Sequence, residues 1–155
     1  MLSQIKKQFK FLLLIAVLPS AVTAKSFYNK PSFGDFTVSR VNSIQDGDTF
    51  RVDIDDIHPL IGKNIRIRIR GVDSPEMKGR CRAEKKAAKK ARRFLVKQLK
   101  TYRKIVLKNS QRGEYFRILA DVIVDGENLK EKILNSGNGV PYQAFKRPNW
   151  CRTKK

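Results

Sequence analysis

The sequence is poor in the residues that most often build metal sites and nucleophilic sites. Among its 155 residues it has one histidine, one tryptophan and two cysteines. The single histidine, His58, is expected to lie in a loop and gives no basis for a histidine-centred metal site. Neither Cys81 nor Cys151 has a second cysteine or histidine at the close spacing of a zinc site. In an exported protein the even number of cysteines predicts a disulfide, and two free thiols are the alternative.

Acidic residues are also scarce, since 14 Asp and Glu stand against 34 Lys and Arg, for a formal net charge of +20. A positive field of this size attracts polyanions, most often nucleic acid and sometimes anionic membranes. A surface made basic only for solubility is the alternative, although solubility needs a much smaller surplus of charge. The length of the chain fits one domain with a small core.

Long hydrophobic runs are missing as well. The apolar stretch Phe11–Leu18 has eight residues, too few to span a bilayer comfortably as a permanent anchor. It follows a basic segment and precedes small residues at Val22 and Ala24, which is the pattern of a cleavable signal peptide. We therefore expect residues 1–24 to be a signal peptide cleaved near Ala24. The mature protein would be exported, to the periplasm or the medium, without a permanent membrane anchor; a retained anchor is the alternative.

Alternating apolar and polar residues predict five strands, and helical spacing predicts two helices. The strands are expected at 36–44, 50–54, 65–70, 104–108 and 115–124. After a flexible lead-in at 25–35, the order β-β-β-α-β-β-α over residues 36–155 indicates one mainly β domain. Such an order fits a small closed or nearly closed barrel with few helices. Residues 55–62, between the second and third strands, are expected to form a loop.

The first helix is predicted at Arg82–Leu99, with an apolar stripe made of Ala83, Ala87, Ala91, Phe94, Leu95 and Leu99. Its other positions are mostly Lys and Arg, and this basic face is either a solvated surface or a nucleic-acid contact. The second helix is expected to begin after Asn128, which matches a capping box together with Glu131, and to end near Asn135.

The most informative stretch for chemistry is Arg66–Glu76, where a strand with three outward arginines runs into two carboxylates, Asp73 and Glu76. Asp48, in the turn between the first two strands, is a further carboxylate at a strand end. Each of these acids, taken alone, is readily explained as a turn or loop residue. Together, Asp48 and Asp73 at the ends of neighbouring strands would hold a hard divalent cation such as Ca²⁺ weakly.

Two arginines and one glutamate are candidates for phosphate chemistry. Arg68 lies on the outward face of its strand, and Arg117 lies on a later predicted strand. The planar fork of an arginine donates two hydrogen bonds to phosphate oxygens, so both would stabilise a phosphodiester under in-line attack. Glu76 would accept a proton from a polarised water or orient that water. The alternatives are plain surface positions for the arginines and a helix-leading acid for Glu76.

Three segments of the chain resemble the motif blocks of one nuclease family. They are Asp-Gly-Asp-Thr at 46–49, Arg-Ile-Arg-Gly-Val-Asp-Ser-Pro-Glu at 68–76 and Tyr-Phe-Arg-Ile-Leu-Ala at 115–120. In this order they are similar to the blocks of staphylococcal (micrococcal) nuclease and its thermonuclease relatives, over residues 38–148. The resemblance implies a five-stranded OB-fold barrel capped by two or three helices. It also implies hydrolysis of phosphodiester bonds in DNA and RNA to 3′-phosphorylated products.

By this resemblance, Asp48 and Asp73 would be the carboxylate ligands of Ca²⁺. Ser74, where the family usually has threonine, would add its backbone carbonyl as a further metal ligand. Arg68 and Arg117 would bind the scissile phosphate. The roles that the resemblance implies therefore agree with what these residue types suggest on their own, which is metal ligation by the acids and phosphate binding by the arginines.

The resemblance further implies that Glu76 is the general base and that Tyr115 and Tyr142 contact the bound nucleotide. The expected protein is a monomer that has DNA and RNA as substrates and needs no stable protein partner. Glu114 is a departure, because the family prototype has a lysine there near the bound phosphate, so affinity for a terminal phosphate is expected to be weaker. A noncatalytic OB-fold protein that binds nucleic acid is the alternative function.

The two cysteines suggest how the end of the chain is held. A Cys81–Cys151 disulfide would close a loop of about 70 residues, which is worth up to roughly 4 kcal/mol in the chain-entropy model. Because Cys81 directly precedes the predicted helix, such a bond would hold the tail against the start of that helix. Reduction is then expected to lower the melting temperature.

Overall fold

A computed structural model of the chain describes residues 31–143, 146 and 148–151. The predicted signal peptide, residues 1–24, and most of the predicted lead-in lie outside these residues. Where the lead-in is described, it runs along a strand: Phe33 N–H donates to Ser110 O at 2.8 Å, and Ser110 N–H donates to Gly34 O at 3.0 Å. Among the described residues no helix is both long and apolar enough to cross a membrane.

The described residues form nine strands and three helices, and the longer elements follow the alternation and helical spacing of the sequence. In chain order they are β1 Phe36–Thr37, β2 Arg40–Ile44, β3 Thr49–Asp53, α1 Pro59–Gly62, β4 Ile65–Ile69, β5 Val72–Asp73, α2 Arg82–Lys100, β6 Ile105–Arg112, β7 Arg117–Val124, β8 Glu127–Asn128, α3 Leu129–Asn135 and β9 Val140–Pro141. The five long strands are those predicted, and four further strands have two residues each.

The main sheet has the strand order β1-β6-β7-β4-β3-β2, with β8 beside β7. The pair β4–β7 is parallel, and the other neighbouring strands are antiparallel. Both edge strands, β1 and β2, come from the segment 36–44, which the sequence predicts as one strand. This segment bends: Val38 N–H donates to Ile105 O at 3.0 Å, and Ser39 N–H donates to Asp53 O at 2.9 Å. The sheet therefore curls between two halves of one segment, and the predicted mainly β, OB-type fold is confirmed.

The core fills the inside of the curled sheet. One face of each long strand supplies it, and the fully buried side chains include Phe50, Val52, Ile67, Ile69, Leu107 and Val122. Helix α2 covers the core with Leu95 and Leu99. The predicted apolar stripe of α2 is wrong in its first two turns, because Ala83 is exposed and Ala87 is only half-buried. The buried face instead starts at Glu84, whose carboxylate is accommodated by accepting the Arg80 N–H at 2.8 Å.

The predicted loop at 55–62 contains the short helix α1, so that prediction is wrong at its end. Pro59 stands at the first helical position, where its missing N–H costs nothing. His58 caps the helix, because its Nδ1 accepts the Leu60 N–H at 3.2 Å. Helix α3 begins as predicted after Asn128, whose side chain accepts the N–H of Lys130 at 3.0 Å.

A disulfide joins Cys81 to Cys151, with 6.0 Å between their Cα atoms and 70 residues between them in sequence. Cys81 is also the N-cap of α2, and its Sγ accepts the Glu84 N–H at 3.4 Å. The disulfide that the sequence suggested is therefore present. It fastens the last described residues to the start of α2.

Candidate active site

The turn between β2 and β3 places Asp48 against the end of β4. Ile69 N–H donates to Asp48 O at 2.9 Å, which fixes the backbone of the turn. The Asp48 side chain is 0% exposed. Its Oδ1 accepts the Thr49 hydroxyl at 2.9 Å, and its Oδ2 accepts the Ser74 N–H at 2.8 Å. A carboxylate buried this completely is stable only with such donors and a nearby positive charge.

Arg68 supplies that charge and joins two acidic segments. Its Nη1 contacts Asp48 Oδ1, and its Nη2 donates to Asp73 Oδ1 at 3.4 Å. The same Nη2 donates to the carbonyl of Val72 at 3.1 Å. The three elements meet because Arg68 is opposite Thr49 in the β3–β4 register and because β5 follows β4 closely. Asp48 and Asp73, predicted as a pair from distant parts of the sequence, thus contact the same guanidinium.

Asp46 is a third carboxylate at this place. The Asp48 N–H donates to Asp46 Oδ1 at 3.3 Å. Burial, followed by the negative charge of Asp48 and a hydrogen bond to it, raises the pKa of Asp46 from 3.8 to about 7. Arg68 lowers this pKa only in part. Asp46, Asp48 and Asp73 thus lie around one arginine, and a group of carboxylates suits a bound cation.

Gly47 lets helix α2 approach this cluster. A Cβ atom at Gly47 would lie 2.6 Å from the Cβ of Ala91 and 2.9 Å from the Cβ of Ser74. Both contacts are shorter than any that a side chain tolerates, so the position requires glycine. The close approach holds the turn with Asp46 and Asp48 between α2 and Ser74.

Arg117 lies on the same outer face of the sheet but outside this cluster. It is opposite Arg66 in the parallel β4–β7 register, whereas Leu119 is opposite Arg68. Arg117 is therefore two register positions from Arg68, about 7 Å along the strand. Its side chain folds against Gly113, where a Cβ atom would lie 3.1 Å from the Arg117 Cγ. The structure thus brings the two predicted phosphate-binding arginines to adjacent strands without direct contact.

The remaining predicted residues lie at three separate positions. Glu76 is exposed in the loop between β5 and α2, and its carbonyl accepts the Gly79 N–H at 2.8 Å. Tyr142 is 46% exposed, and its N–H donates to Gly71 O at 3.0 Å, which places it beside the end of β4. Tyr115 is 81% exposed in the β6–β7 turn, towards the opposite end of β4. The two tyrosines therefore lie towards opposite ends of β4.

The donor set around Asp48 fits Ca²⁺. Carboxylate oxygens are ligands that this hard cation prefers. The Oγ of Ser74 is buried and has no hydrogen-bond partner among the described residues, so the site holds an unsatisfied polar atom. A second group of candidate ligands, Cys81, Glu84 and Cys151, has ligand atoms within 4.8 Å of one another. It does not offer thiolates, because both sulfurs belong to the disulfide.

Two functional candidates were not singled out from the sequence. Asp46 stands two residues before Asp48, and an Asp-x-Asp spacing beside a strand is a signal for a shared cation. Arg51 lies on the outer face of β3, opposite Arg66. The alternation Phe50-Arg51-Val52 predicts that the Arg51 side chain points outward. Which residues it faces depends on strand pairing.

The comparisons with known proteins agree with this geometry. A family model described as staphylococcal nuclease homologue matches residues 66–155, which is more than half of the chain. The match includes Arg68, Asp73, Glu76 and Arg117, and the structure adds Asp48 to them through Arg68. A search of curated proteins gives no match. The family membership indicates a nuclease-like or nucleic-acid-binding function, as the sequence resemblance implied. The chain belongs to the staphylococcal nuclease homologue family.

Proposed function

We propose that this protein is an exported, Ca²⁺-dependent endonuclease. It would hydrolyse phosphodiester bonds of DNA and RNA without regard to the sugar, and release 3′-phosphorylated products. The observation that carries the proposal is the contact of one guanidinium, that of Arg68, with both Asp48 and Asp73. A surface that only binds nucleic acid needs cations, whereas a buried carboxylate beside a second carboxylate suits metal-assisted hydrolysis.

The metal would be held by the carboxylates of Asp48 and Asp73 and by the backbone carbonyl of Ser74. When bound, Ca²⁺ supplies positive charge beside the phosphate and makes a nearby water more acidic. The hydrogen bond from Ser74 N–H to Asp48 Oδ2, 2.8 Å long, supports this donor set because it ties the two segments together. The contacts of Arg68 with Asp48 and Asp73 support it as well, because they join the segments that carry the two carboxylates.

Three side chains would act on the phosphate and the attacking water. Arg68 and Arg117 donate hydrogen bonds to phosphate oxygens and stabilise the charge that develops on them. Glu76 accepts the proton of the water or orients the water for in-line attack. Its place in an exposed loop, three residues after Asp73, supports this role.

Substrate binding would depend mainly on the sugar-phosphate backbone. The net charge of +20 supports strong, salt-sensitive attraction of polynucleotides without reading of the base sequence. Tyr115 and Tyr142, both exposed, would contact the nucleotide in the site. Backbone binding of this kind accepts DNA and RNA alike, which supports a sugar-nonspecific activity.

Export is part of the proposal. The expected signal peptide at 1–24 would direct the chain across a membrane, and cleavage would leave a protein beginning near Lys25. The Cys81–Cys151 disulfide agrees with an oxidising compartment such as the periplasm or the medium. The protein would act there as a monomer.

The direct test is incubation of the mature protein with plasmid DNA and with RNA, with Ca²⁺ and with a chelator. We expect cleavage of both polymers in Ca²⁺ and none in the chelator. The ends should carry 3′-phosphates, which can be detected by resistance to a polymerase until a phosphatase is added. Binding without cleavage in Ca²⁺ overturns the enzyme proposal.

A substitution tests the general base. Glu76→Gln keeps the size of the side chain but removes its ability to accept a proton. We expect kcat to fall at least a hundredfold while affinity for DNA, measured in the chelator, changes less than twofold. Asp56→Asn, at an exposed position before α1, is the matched control. An equal loss of rate and affinity in Glu76→Gln indicates a structural role instead.

One observation favours the alternative function, a noncatalytic OB-fold protein that binds nucleic acid. Tyr115 and Phe116 are 81% and 62% exposed, and the guanidinium of Arg112 lies 4.5 Å from the Phe116 ring centroid. Exposed aromatic rings beside arginine are suited to stacking on single-stranded bases. Such a protein would bind single strands in the chelator as well as in Ca²⁺ and would cleave neither.

A further inference from the structure

A row of three arginines crosses the outer face of the sheet beside the candidate active site. Arg51 on β3 is opposite Arg66 on β4, and Arg66 is opposite Arg117 on β7. Neighbouring strands place such residues about 5 Å apart. The three side chains share the outer face because the residues next to them in sequence point into the core, among them Phe50, Val52, Ile65 and Ile67. We call this set the arginine row.

The arginine row has no acidic partner in the part of the chain that the structure describes. The guanidinium groups of Arg66 and Arg117 make no hydrogen bond or ion pair there, and the Nε of Arg66 is buried without an acceptor. Arg51 donates only to the carbonyl of Asn64, at 2.8 Å. Asp53, two residues along the same face of β3, already accepts the Asn64 N–H at 2.8 Å.

This arrangement opposes stability. Like charges directly opposite each other on neighbouring strands destabilise a sheet. Arg70 directly follows β4 and shows how the fold gives partners to another outward arginine. Its Nε lies 3.2 Å from Asp121 Oδ1, and its Nη1 donates to Gln111 Oε1 at 2.9 Å. Three adjacent arginines without such partners indicate a site for an anion.

We infer that Arg51 and Arg66 bind a second backbone phosphate of the substrate, next to the scissile phosphate that Arg68 and Arg117 bind. This inference rests on the proposed function, because it takes Arg68 as a partner of the scissile phosphate. Arg66 precedes Arg68 by two residues, about 7 Å along the strand, which is comparable to one nucleotide step in an extended chain. The ligand is therefore a polynucleotide with at least two consecutive phosphates.

The first test compares substrates with and without a second phosphate. We expect Arg66→Gln to raise the KM for a 20-nucleotide single strand about tenfold. The double variant Arg51→Gln/Arg66→Gln should raise this KM further. The kcat should stay unchanged, and kcat/KM for a dinucleoside monophosphate, which has one phosphodiester, should stay unchanged too. Equal losses on both substrates overturn the inference.

Arg103→Gln is the matched control for charge. Arg103 is exposed and lies just before β6, beside Asp125 at the far end of β7 from Arg117. The substitution removes one positive charge, as Arg66→Gln does, but at a position distant from the arginine row. If Arg103→Gln raises KM as much as Arg66→Gln, the effect is one of net charge and the second phosphate subsite is contradicted.

A second experiment removes the charge from the substrate instead. An oligonucleotide with a neutral methylphosphonate next to the cleaved linkage is compared with the unmodified strand. We expect the wild-type protein to lose about tenfold in kcat/KM on the neutral linkage, and Arg66→Gln to lose little further. Equal sensitivity to the methylphosphonate in both proteins shows that Arg66 does not bind that phosphate.

Binding in a chelator separates this inference from the proposed activity. If the wild-type protein cleaves nothing, the affinity for the 20-nucleotide strand still tests the arginine row. The slope of log K against log [salt] should fall by about one for each arginine removed from the row, and less for Arg103→Gln. Equal slopes overturn the subsite. Thermal unfolding checks the fold, and Arg66→Gln is expected to be at least as stable as wild type because it removes like-charge repulsion.

Discussion

Arg66 and Arg68 of β4 and Arg70 directly after it alternate along one face of the chain but lie in three different environments. Arg68 contacts two carboxylates, Asp48 and Asp73. Arg70 pairs with Asp121 and Gln111. Arg66 has only other arginines opposite it. The alternation within a strand therefore sets the direction of each side chain, while the neighbouring strands and loops set which groups it contacts.

Removal of the buried Asp48 carboxylate should have the largest effect, because Arg68 then loses one of its two acidic partners. In Asp48→Asn we expect Ca²⁺-dependent kcat/KM to fall more than a thousandfold, since the variant loses a metal ligand and the charge that holds Arg68. Initial rates on plasmid DNA give the measurement. Asp56→Asn, an exposed acid before α1, should leave the rate within twofold. If both variants retain activity, Asp48 is not a ligand.

Replacing each arginine by lysine sharpens the contrast between positions 68 and 66. Lysine keeps the charge but loses the planar fork. We expect Arg68→Lys to lower kcat about a hundredfold to a thousandfold, and Arg66→Lys to lower kcat/KM on long strands less than tenfold without changing kcat. Steady-state kinetics on one long substrate distinguish the two. Similar losses in kcat at both positions would contradict different roles for Arg68 and Arg66.

Breaking the disulfide tests whether the sheet alone holds the three arginines in their environments. The bond joins α2 to the tail and touches none of the three arginines. Reduction, or Cys81→Ser/Cys151→Ser, should lower stability by up to about 4 kcal/mol while the rate at 25 °C stays within twofold. Thermal unfolding with and without reductant gives the measurement. An unchanged melting temperature contradicts a stabilising role of the bond.

The smallest expected effect is a pH-dependent gain of stability in Asp46→Asn. The pKa of Asp46 is raised in the folded protein from 3.8 to about 7, mainly by burial. Its ionisation therefore opposes folding, and this penalty grows as the pH rises from about 4 to about 7. In a chelator, Asp46→Asn should match wild type at pH 4 and be more stable by roughly 1–3 kcal/mol at pH 8. Chemical denaturation at both pH values measures this, and a constant difference contradicts the raised pKa.

Much of the fold was predictable because alternation and helical spacing are local properties. Strands β3, β4 and β7 and the cap at Asn128 follow from their own residues. The bend at Val38–Ser39 was not predictable, because it depends on two different partners, Ile105 and Asp53. The inward turn of Glu84 in α2 was likewise missed, since its carboxylate is satisfied by the backbone of Arg80.

The candidate site was predictable to a similar extent. The motif resemblance selected Asp48, Arg68 and Asp73, and the structure places them in contact. The arginine row could not be identified from the sequence, because Arg51 and Arg117 are far apart in the chain and only the register brings each of them opposite Arg66. Whether a charged residue faces an opposite charge depends on strand register, which cannot be read from the sequence of one strand.

The bent segment 36–44, which forms both edge strands of the main sheet, affects the tendency of the protein to aggregate. Free sheet edges recruit other chains by backbone pairing and lead to aggregation. Here β1 has two residues, and β2 has a register irregularity between Val41 and Ser43. Arg92 of α2 donates its Nε–H to Ile44 O at 2.8 Å, at the end of β2. Among the described residues, the two edges of the main sheet are thus short or irregular, and the β2 edge is partly covered by a cation, so this sheet offers little template for intermolecular strand addition.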